Sequence, residues 1–108
     1  MSRRRGRAHV AVLLVELHFP MAGSLKAKRK DLKSVKAQLQ TRLGCAVAEV
    51  DHHDVWQRST LSVALTSGSM HQLETHCDAV ERHLWERFPE GVRVDRYVRS
   101  FDERGEVG

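Results

Sequence analysis

The first apolar stretch of the chain alternates between two sides, as the side chains of a strand do. Its odd positions are apolar throughout, whereas its even positions are apolar at first and polar later. The odd set is Ala11, Leu13, Val15, Leu17 and Phe19, and the even set is Val10, Val12, Leu14, Glu16 and His18. Since successive strand residues face opposite sides of a sheet, the pattern predicts a strand over residues 9–19 that ends at Pro20.

Two longer segments carry apolar residues at the three- and four-residue spacing of a helix. The first follows the candidate N-cap Ser24 and stops at Gly44, and its stripe is Leu25, Leu32, Val35, Leu39 and Leu43. The second follows Ser69, and Gln72 three residues later completes a capping box. Its stripe is Met70, Leu73, Cys77, Val80, Leu84 and Phe88. The sequence therefore predicts two amphipathic helices.

Three short segments of strand character complete the pattern. Residues 45–50 and 58–66 lie on either side of a turn-rich loop and predict a hairpin. Residues 92–101 predict the last strand, although Val92 and Val94 alternate out of step with Tyr97 and Phe101, which suggests a bulge. The order βαββαβ predicts an α+β, ferredoxin-like fold, in which a four-stranded antiparallel sheet carries two helices on one face.

The composition fits one soluble domain, with 108 residues of which 41% are hydrophobic and 30% are charged. We expect a single domain over residues 9–101, a basic flexible tail over 1–8 and a flexible C-terminal tail over 102–108. No run approaches the roughly 20 apolar residues of a membrane-spanning helix, so we expect no membrane partner. The arginine-rich start imitates a signal peptide, but Glu16 and His18 interrupt the apolar run and favour a cytoplasmic protein.

Charge is distributed unevenly along the chain. Residues 1–43 hold eleven Lys and Arg against two acids, net +9, whereas residues 44–108 hold seven against twelve, net −5. Five cations of the first helix share one face, about 120° from its apolar stripe: Lys26, Arg29, Lys30, Lys33 and Lys36. Bound phosphates would offset the repulsion within this set, so the face, helped by Arg3, Arg4 and Arg5, predicts RNA backbone binding. A merely solvated face is the alternative.

The loop after the second strand concentrates groups that could do chemistry. Its carboxylates and imidazoles are Glu49, Asp51, His52, His53 and Asp54. A hydrolase built here would need a carboxylate base of raised pKa or a metal-activated water. No recognised metal-ligand spacing is present, so we expect a solvated acidic turn, without metal or cofactor and without catalytic residues.

A second candidate site follows directly, where Trp56, Gln57 and Arg58 join an indole, an amide and a guanidinium at a strand entrance. This combination suits partner docking through stacking and planar hydrogen bonds. The alternative is a tryptophan that closes the end of the core, with the arginine paired to a nearby acid.

The sheet face opposite the helices is expected to be half apolar. Val10, Val12 and Leu14 lie on it, and such a surface in water is unusual for a monomer. A homodimer through this face is therefore expected, unless the C-terminal segment shields it. No aromatic residue falls on this face in the first or third strand, so we expect RNA to be held by charge and shape rather than by base stacking.

Three linked motifs resemble the YlxP-like family, a bacterial domain-of-unknown-function family. They are Ser24-Leu25-Lys26-Ala27-Lys28-Arg29, Val47-Ala48-Glu49-Val50 and Trp56-Gln57-Arg58-Ser59-Thr60-Leu61. The resemblance implies a cytoplasmic ferredoxin-like protein, and the encoding of family members beside translation and ribosome-maturation factors suggests RNA or ribosome work. The expected function is therefore non-catalytic binding to RNA or the ribosome. A protein-docking adaptor and a hydrolase using residues 49–54 are the alternatives.

Overall fold

The structure, a computed structural model, describes residues 6–89 and 91–107. It contains five strands and two helices. In chain order they are β1 (Ala8–His18), α1 (Leu25–Thr41), β2 (Ala46–Asp51), β3 (Arg58–Ser67), α2 (Met70–Arg87), β4 (Val92–Asp102) and β5 (Gly105–Glu106). No helix among these residues is both long enough and apolar enough to cross a membrane.

The strands form one antiparallel sheet in the order β2-β3-β1-β4-β5. The first four strands have the order expected of a ferredoxin-like split βαβ fold, so the α+β prediction is confirmed. The prediction of four strands was wrong, because β5 lies in the segment 102–108 that was expected to be a tail. A tight turn returns the chain there. Gly105 adopts a φ of 109°, and the Val107 amide donates to the Ser100 carbonyl at 2.7 Å.

The core lies between the helices and the odd-numbered side of β1. Ala11, Leu13, Val15 and Leu17 are fully buried there. The helices cover them with the predicted stripes, of which Leu32, Val35, Leu39, Leu73, Cys77, Val80 and Leu84 are buried. The side chain of Ser24 accepts a hydrogen bond from the Ala27 amide at 3.1 Å, and so caps α1 as expected.

Strand β4 runs without a bulge, and its ten residue pairs with β1 are in continuous register. Val92, Val94 and Val98 face the core side, and Arg96 occupies the inward position between them. The strand therefore alternates regularly, and the predicted bulge was wrong. The alternation was hard to recognise in the sequence because a charged residue, Arg96, occupies one of the inward positions. The irregularity lies instead in β2, where the pairing with β3 shifts between Glu49 and Asp51.

Candidate functional site

The outer face of α1 consists of Lys26, Arg29, Lys30, Lys33 and Lys36. The first four are exposed and Lys36 is half-buried. Within residues 6–89 and 91–107, none of the five cations forms an ion pair with a carboxylate. The single acid of the helix, Asp31, lines a different cleft that it shares with Arg87 of α2. The outer face is therefore a surface of positive charge that the described carboxylates leave unneutralised.

A shallow groove of about 340 Å³ runs along this face. Its polar lining comes from Arg29, Lys33, Lys36 and Gln40, and its floor from Leu32 and Ala37. Cations spaced along a groove with an apolar floor can follow a chain of phosphates while the aliphatic parts of their side chains pack against it. Arg3, Arg4 and Arg5, predicted to assist in this, lie outside the described residues.

One lysine of the same helix faces the opposite way. Lys28 is 0% exposed, and its ammonium lies 3.4 Å from Oε2 of Glu49 in β2. It also donates to the carbonyl of His52 at 2.6 Å and to that of His53 at 3.4 Å. Ser59, buried in β3, donates to the same Glu49 oxygen at 2.6 Å. Three donors of the ammonium thus have three acceptors, as a buried charge requires.

This buried cluster joins the three motifs that carry the family resemblance. Lys28 comes from the first motif, Glu49 from the second and Ser59 from the third. Sequence reasoning missed Lys28, because it was one of several lysines in a basic run. The signal that could have found it is its spacing, since Lys28 stands four residues before Leu32 and seven before Val35 on the apolar stripe.

The pKa of Glu49 is set by competing effects. Partial burial acts to raise it, but the hydrogen bond from Ser59 and the charge of Lys28 outweigh burial and hold the pKa below its ordinary value of 4.5. A general base that works near neutral pH needs a raised pKa, so Glu49 is tuned in the opposite direction. No three His, Cys, Asp or Glu side chains of the described segments are grouped as metal ligands.

The loop that carries the histidines is built as a turn. His52 adopts a φ of 61°, which is uncommon for a residue with a side chain, and its carbonyl accepts from the Val55 amide at 3.3 Å. The imidazole of His52 lies 3.0 Å from the Thr60 hydroxyl, and that of His53 lies 3.9 Å from Glu49. The two rings therefore contact different strands, His52 reaching Thr60 of β3 and His53 reaching Glu49 of β2.

Trp56, Gln57 and Arg58 lie at the end of this loop and are all exposed. The indole is 49% exposed, so it does not close the core as the alternative prediction required. Arg58 does approach an acid, with its guanidinium 3.8 Å from Glu16. The three side chains line a cleft of about 430 Å³ together with Val55, Pro20 and His18 of the β1 end.

The open face of the sheet, opposite the helices, carries Val10, Val12 and Leu14 as predicted, and Leu14 is 37% exposed. Strand β4 adds two exposed aromatic residues to it, because Tyr97 pairs with Val12 and Phe101 with Ala8. The expectation that this face lacks aromatic residues was therefore wrong for β4. The sequence did not settle which residues of that strand face the helices and which face away. Its three arginines are each paired, Arg58 with Glu16, Arg93 with Asp95 at 3.5 Å and Arg99 with Glu106 at 3.1 Å.

Both cysteines are free and buried in the core, Cys45 beside the start of β2 and Cys77 in α2. Burial, helped by the neighbouring Cys77, raises the pKa of the Cys45 thiol to about 11. Burial likewise raises the pKa of Cys77. Thiols held protonated in this way are weak nucleophiles, so the two residues act as packed apolar groups.

The fold and the site together define an α+β domain of ferredoxin-like topology with a basic outer helix. The family model described as "Protein of unknown function (DUF503)" matches residues 10–97. The chain is 35% identical over 73 residues to "Uncharacterized protein YlxP" of Bacillus subtilis (strain 168), and the match spans 68% of this chain and 78% of that relative. The chain belongs to the DUF503 family, which confirms the YlxP-like resemblance.

Among solved structures, the chain is similar to a de novo designed protein with a ferredoxin fold, determined by solution NMR. The similarity has a TM-score of 0.41 and 15% sequence identity, and it spans 93% of this chain and 88% of the designed one. The fold assignment given above depends on the strand order and pairing of this chain itself.

Proposed function

We propose that the protein is a non-catalytic, cytoplasmic RNA-binding protein that holds the RNA backbone on the outer face of α1. The observation that supports this most concerns the five cations on one helix face. No carboxylate among the described residues forms an ion pair with any of them. Like charges at i,i+4, such as Lys26 with Lys30, destabilise a helix by a few tenths of a kcal/mol unless an anion relieves them. Phosphates spaced along a strand of RNA supply that anion.

The kind of RNA follows from the family resemblance rather than from the geometry. The encoding of YlxP-like proteins beside translation and ribosome-maturation factors favours ribosomal RNA or the assembling ribosome as the partner. An adaptor that docks a protein through Trp56, Gln57 and Arg58 is the competing function, because these side chains are exposed. A hydrolase that uses residues 49–54 has less support, because the lowered pKa of Glu49 suits a carboxylate paired with Lys28 rather than a general base.

The decisive experiment measures RNA affinity as a function of salt. If Lys26, Lys30 and Lys33 each neutralise one phosphate, changing all three to Gln should reduce the slope of log affinity against log salt by about 2 to 3, from about 0.7 to 0.9 per contact. The control changes Arg82, Arg93 and Arg99 to Gln. This variant has the same net charge, but its altered residues lie on α2 and β4.

We expect the slope to fall by less than about 1 in the control. Equal losses in the two variants would mean that net charge alone attracts RNA, and no measurable binding by the unaltered protein at low salt would overturn the proposed function. A capture from lysate with and without ribonuclease separates the adaptor, because only an adaptor keeps its partner after RNA is digested.

For the open sheet face, the partner that we propose is a second copy of the chain. Arg93 and Arg99 on this face are each paired with a carboxylate, so this part of the sheet offers little net charge to RNA. It carries exposed apolar surface, because Val12 pairs with Tyr97 and Leu14 lies two residues further along β1, opposite Asp95. A two-fold axis through this surface would cover the same apolar residues on both copies.

A further inference from the structure

The cleft beside Trp56 has no role in phosphate binding by α1, and its composition is distinctive. It is formed by two short segments, residues 18–20 at the end of β1 and residues 55–58 before and at the start of β3. Its lining combines an indole, an imidazole, a primary amide and a guanidinium with two apolar side chains: Trp56, His18, Gln57, Arg58, Val55 and Pro20. Among residues 6–89 and 91–107, no carboxylate belongs to this lining. Flat π surfaces, planar hydrogen-bonding groups and a cation are the groups with which proteins hold an unstacked base.

The two walls of the cleft are fixed to each other. The amide of Phe19 donates to the carbonyl of Gln57 at 2.9 Å, which joins the two segments. On the first wall, the amide of His18 donates to the carbonyl of Gly91 at 2.8 Å. A cleft with walls held by backbone hydrogen bonds loses little freedom when a ligand enters it.

The second wall is also fixed to α1. Lys28, in the first turn of that helix, holds the carbonyls of His52 and His53 at the start of the loop that carries Trp56. Lys26 lies two residues earlier on the outer face. The loop that leads to Trp56 is therefore held to α1 by a fully buried ammonium, while His18 and Arg58 of the lining lie on the open side of the sheet.

Trp56 leaves apolar surface uncovered in the cleft. Its indole is 49% exposed, although a tryptophan gains most from burial among apolar side chains. Neighbouring Val55 is 40% exposed as well. Arg58 is paired only at 3.8 Å with Glu16, and its side chain is 45% exposed. A base that stacks on the indole would cover this apolar surface.

We propose that the cleft binds one unstacked base of single-stranded RNA, stacked on Trp56. This proposal rests on the proposed function and deepens it, because it specifies single strands. A duplex keeps its bases stacked and paired, and could contact only the cations.

The test uses Trp85→Phe, which leaves Trp56 as the sole tryptophan, since the chain has two. Three probes are compared: a 12-nucleotide oligoadenylate, the same strand paired with its complement, and inorganic polyphosphate. We expect oligoadenylate to quench Trp56 fluorescence, and the duplex and polyphosphate to bind without quenching it. Quenching of equal size by polyphosphate would contradict the proposal.

Affinity gives an independent readout. Trp56→Ala should weaken oligoadenylate binding by about 5- to 150-fold, the range found when one stacking side chain is removed. It should leave polyphosphate affinity unchanged within about twofold, because the α1 cations remain. Trp56→Phe should restore most of the loss, since it keeps an aromatic surface.

The outcomes separate the two proposals. If Trp56→Ala binds oligoadenylate as well as the unaltered protein does, while the lysine variant binds it weakly, the base site is overturned and the phosphate site stands. If neither oligoadenylate nor polyphosphate binds, the proposed function itself fails. Circular dichroism confirms that each variant is folded, which we expect because the side chain of Trp56 lies at the surface.

Discussion

The two βαβ halves of the domain attach their helices to the sheet with one cation each, but in opposite senses. In the first half the cation is on the helix and the acid on the strand, as Lys28 of α1 meets Glu49 of β2. In the second half the cation is on the strand, as Arg96 of β4 meets Asp78 and Glu81 of α2. Lys28 is fully buried, whereas the side chain of Arg96 is 28% exposed.

The difference explains where the molecule carries free charge. On α2 the acids Asp78 and Glu81 are paired to Arg96, so part of the charge of that helix is satisfied within the fold. On α1 the acid that pairs with Lys28 comes from the sheet, and the other lysines of the helix receive no such partner among the described residues. The half with the buried bridge is therefore the half with a surface open to an anion.

The largest effect is expected when the buried bridge is broken. Lys28→Met should lower the free energy of unfolding by about 3 kcal/mol, because Glu49 and two carbonyls lose their partner inside the protein. Urea denaturation measures this. Lys26→Met, an exposed change on the same helix, should stay within about 0.5 kcal/mol. A loss below about 1 kcal/mol for Lys28→Met would mean that the buried bridge stabilises the fold no more than an exposed ion pair does.

A smaller loss is expected from the partly exposed bridge. Arg96→Met should lower the free energy of unfolding by about 1 to 2 kcal/mol, because water can reach Asp78 when the arginine is gone. The methionine keeps apolar contact at the inward position beside Val94 and Val98. Arg93→Met on the open face of the same strand is the control, and a cost in Arg96→Met equal to that of Lys28→Met would remove the contrast.

Acid should weaken the first bridge further. Since the pKa of Glu49 is lowered on folding, its contribution to stability is full above the ordinary carboxylate pKa of about 4.5 and is lost as the pH falls through the folded value. The stability difference between the unaltered protein and Glu49→Gln should therefore be large at pH 7 and shrink below pH 4.5. Denaturation across this range checks it, with the exposed change Asp54→Asn as control. A stability difference that stays constant with pH would contradict the lowered pKa of Glu49.

The smallest effect on stability is expected on the open sheet face, which neither bridge touches. Leu14→Glu should lower the free energy of unfolding of the single chain by about 0.5 to 1 kcal/mol, because Leu14 is partly exposed but lies opposite Asp95, so the change sets two like charges against each other. It should nevertheless reduce the mass seen by light scattering from that of two chains to that of one. An unaltered protein that is monomeric at high concentration would refute self-association through this face.

The elements of the fold were predictable because each carries its own periodicity and its own stop. The odd positions of β1 from Ala11 to Phe19 are buried as their spacing indicates, and so are the central residues of both helix stripes. The missed strand β5 lies in a short segment without apolar alternation, whereas the misplaced bulge is due to a charged residue that faces inward. Arg96 obscured the phase of β4, and so the placement of Tyr97 and Phe101 on the open face was missed.

The candidate site was predictable only in part, for a related reason. The basic face of α1 follows from helical geometry alone, and four of its five members are exposed. The role of Lys28 depends on Glu49 and Ser59, which lie 21 and 31 residues further along the chain. A contact between residues so far apart cannot be predicted from a local sequence pattern. The cleft at Trp56 likewise requires the β1 end to lie beside the loop.

The irregularity in β2 affects how the protein behaves at high concentration. This strand is an edge of the sheet, and an edge strand can recruit a strand from another molecule and start aggregation. Its register shifts between Glu49 and Asp51, and Glu49 turns its carboxylate inward to Lys28. A bulge and an inward-facing charge both hinder the pairing of another strand with an edge strand. The ion pair between Lys28 and Glu49 therefore also reduces strand addition at this edge.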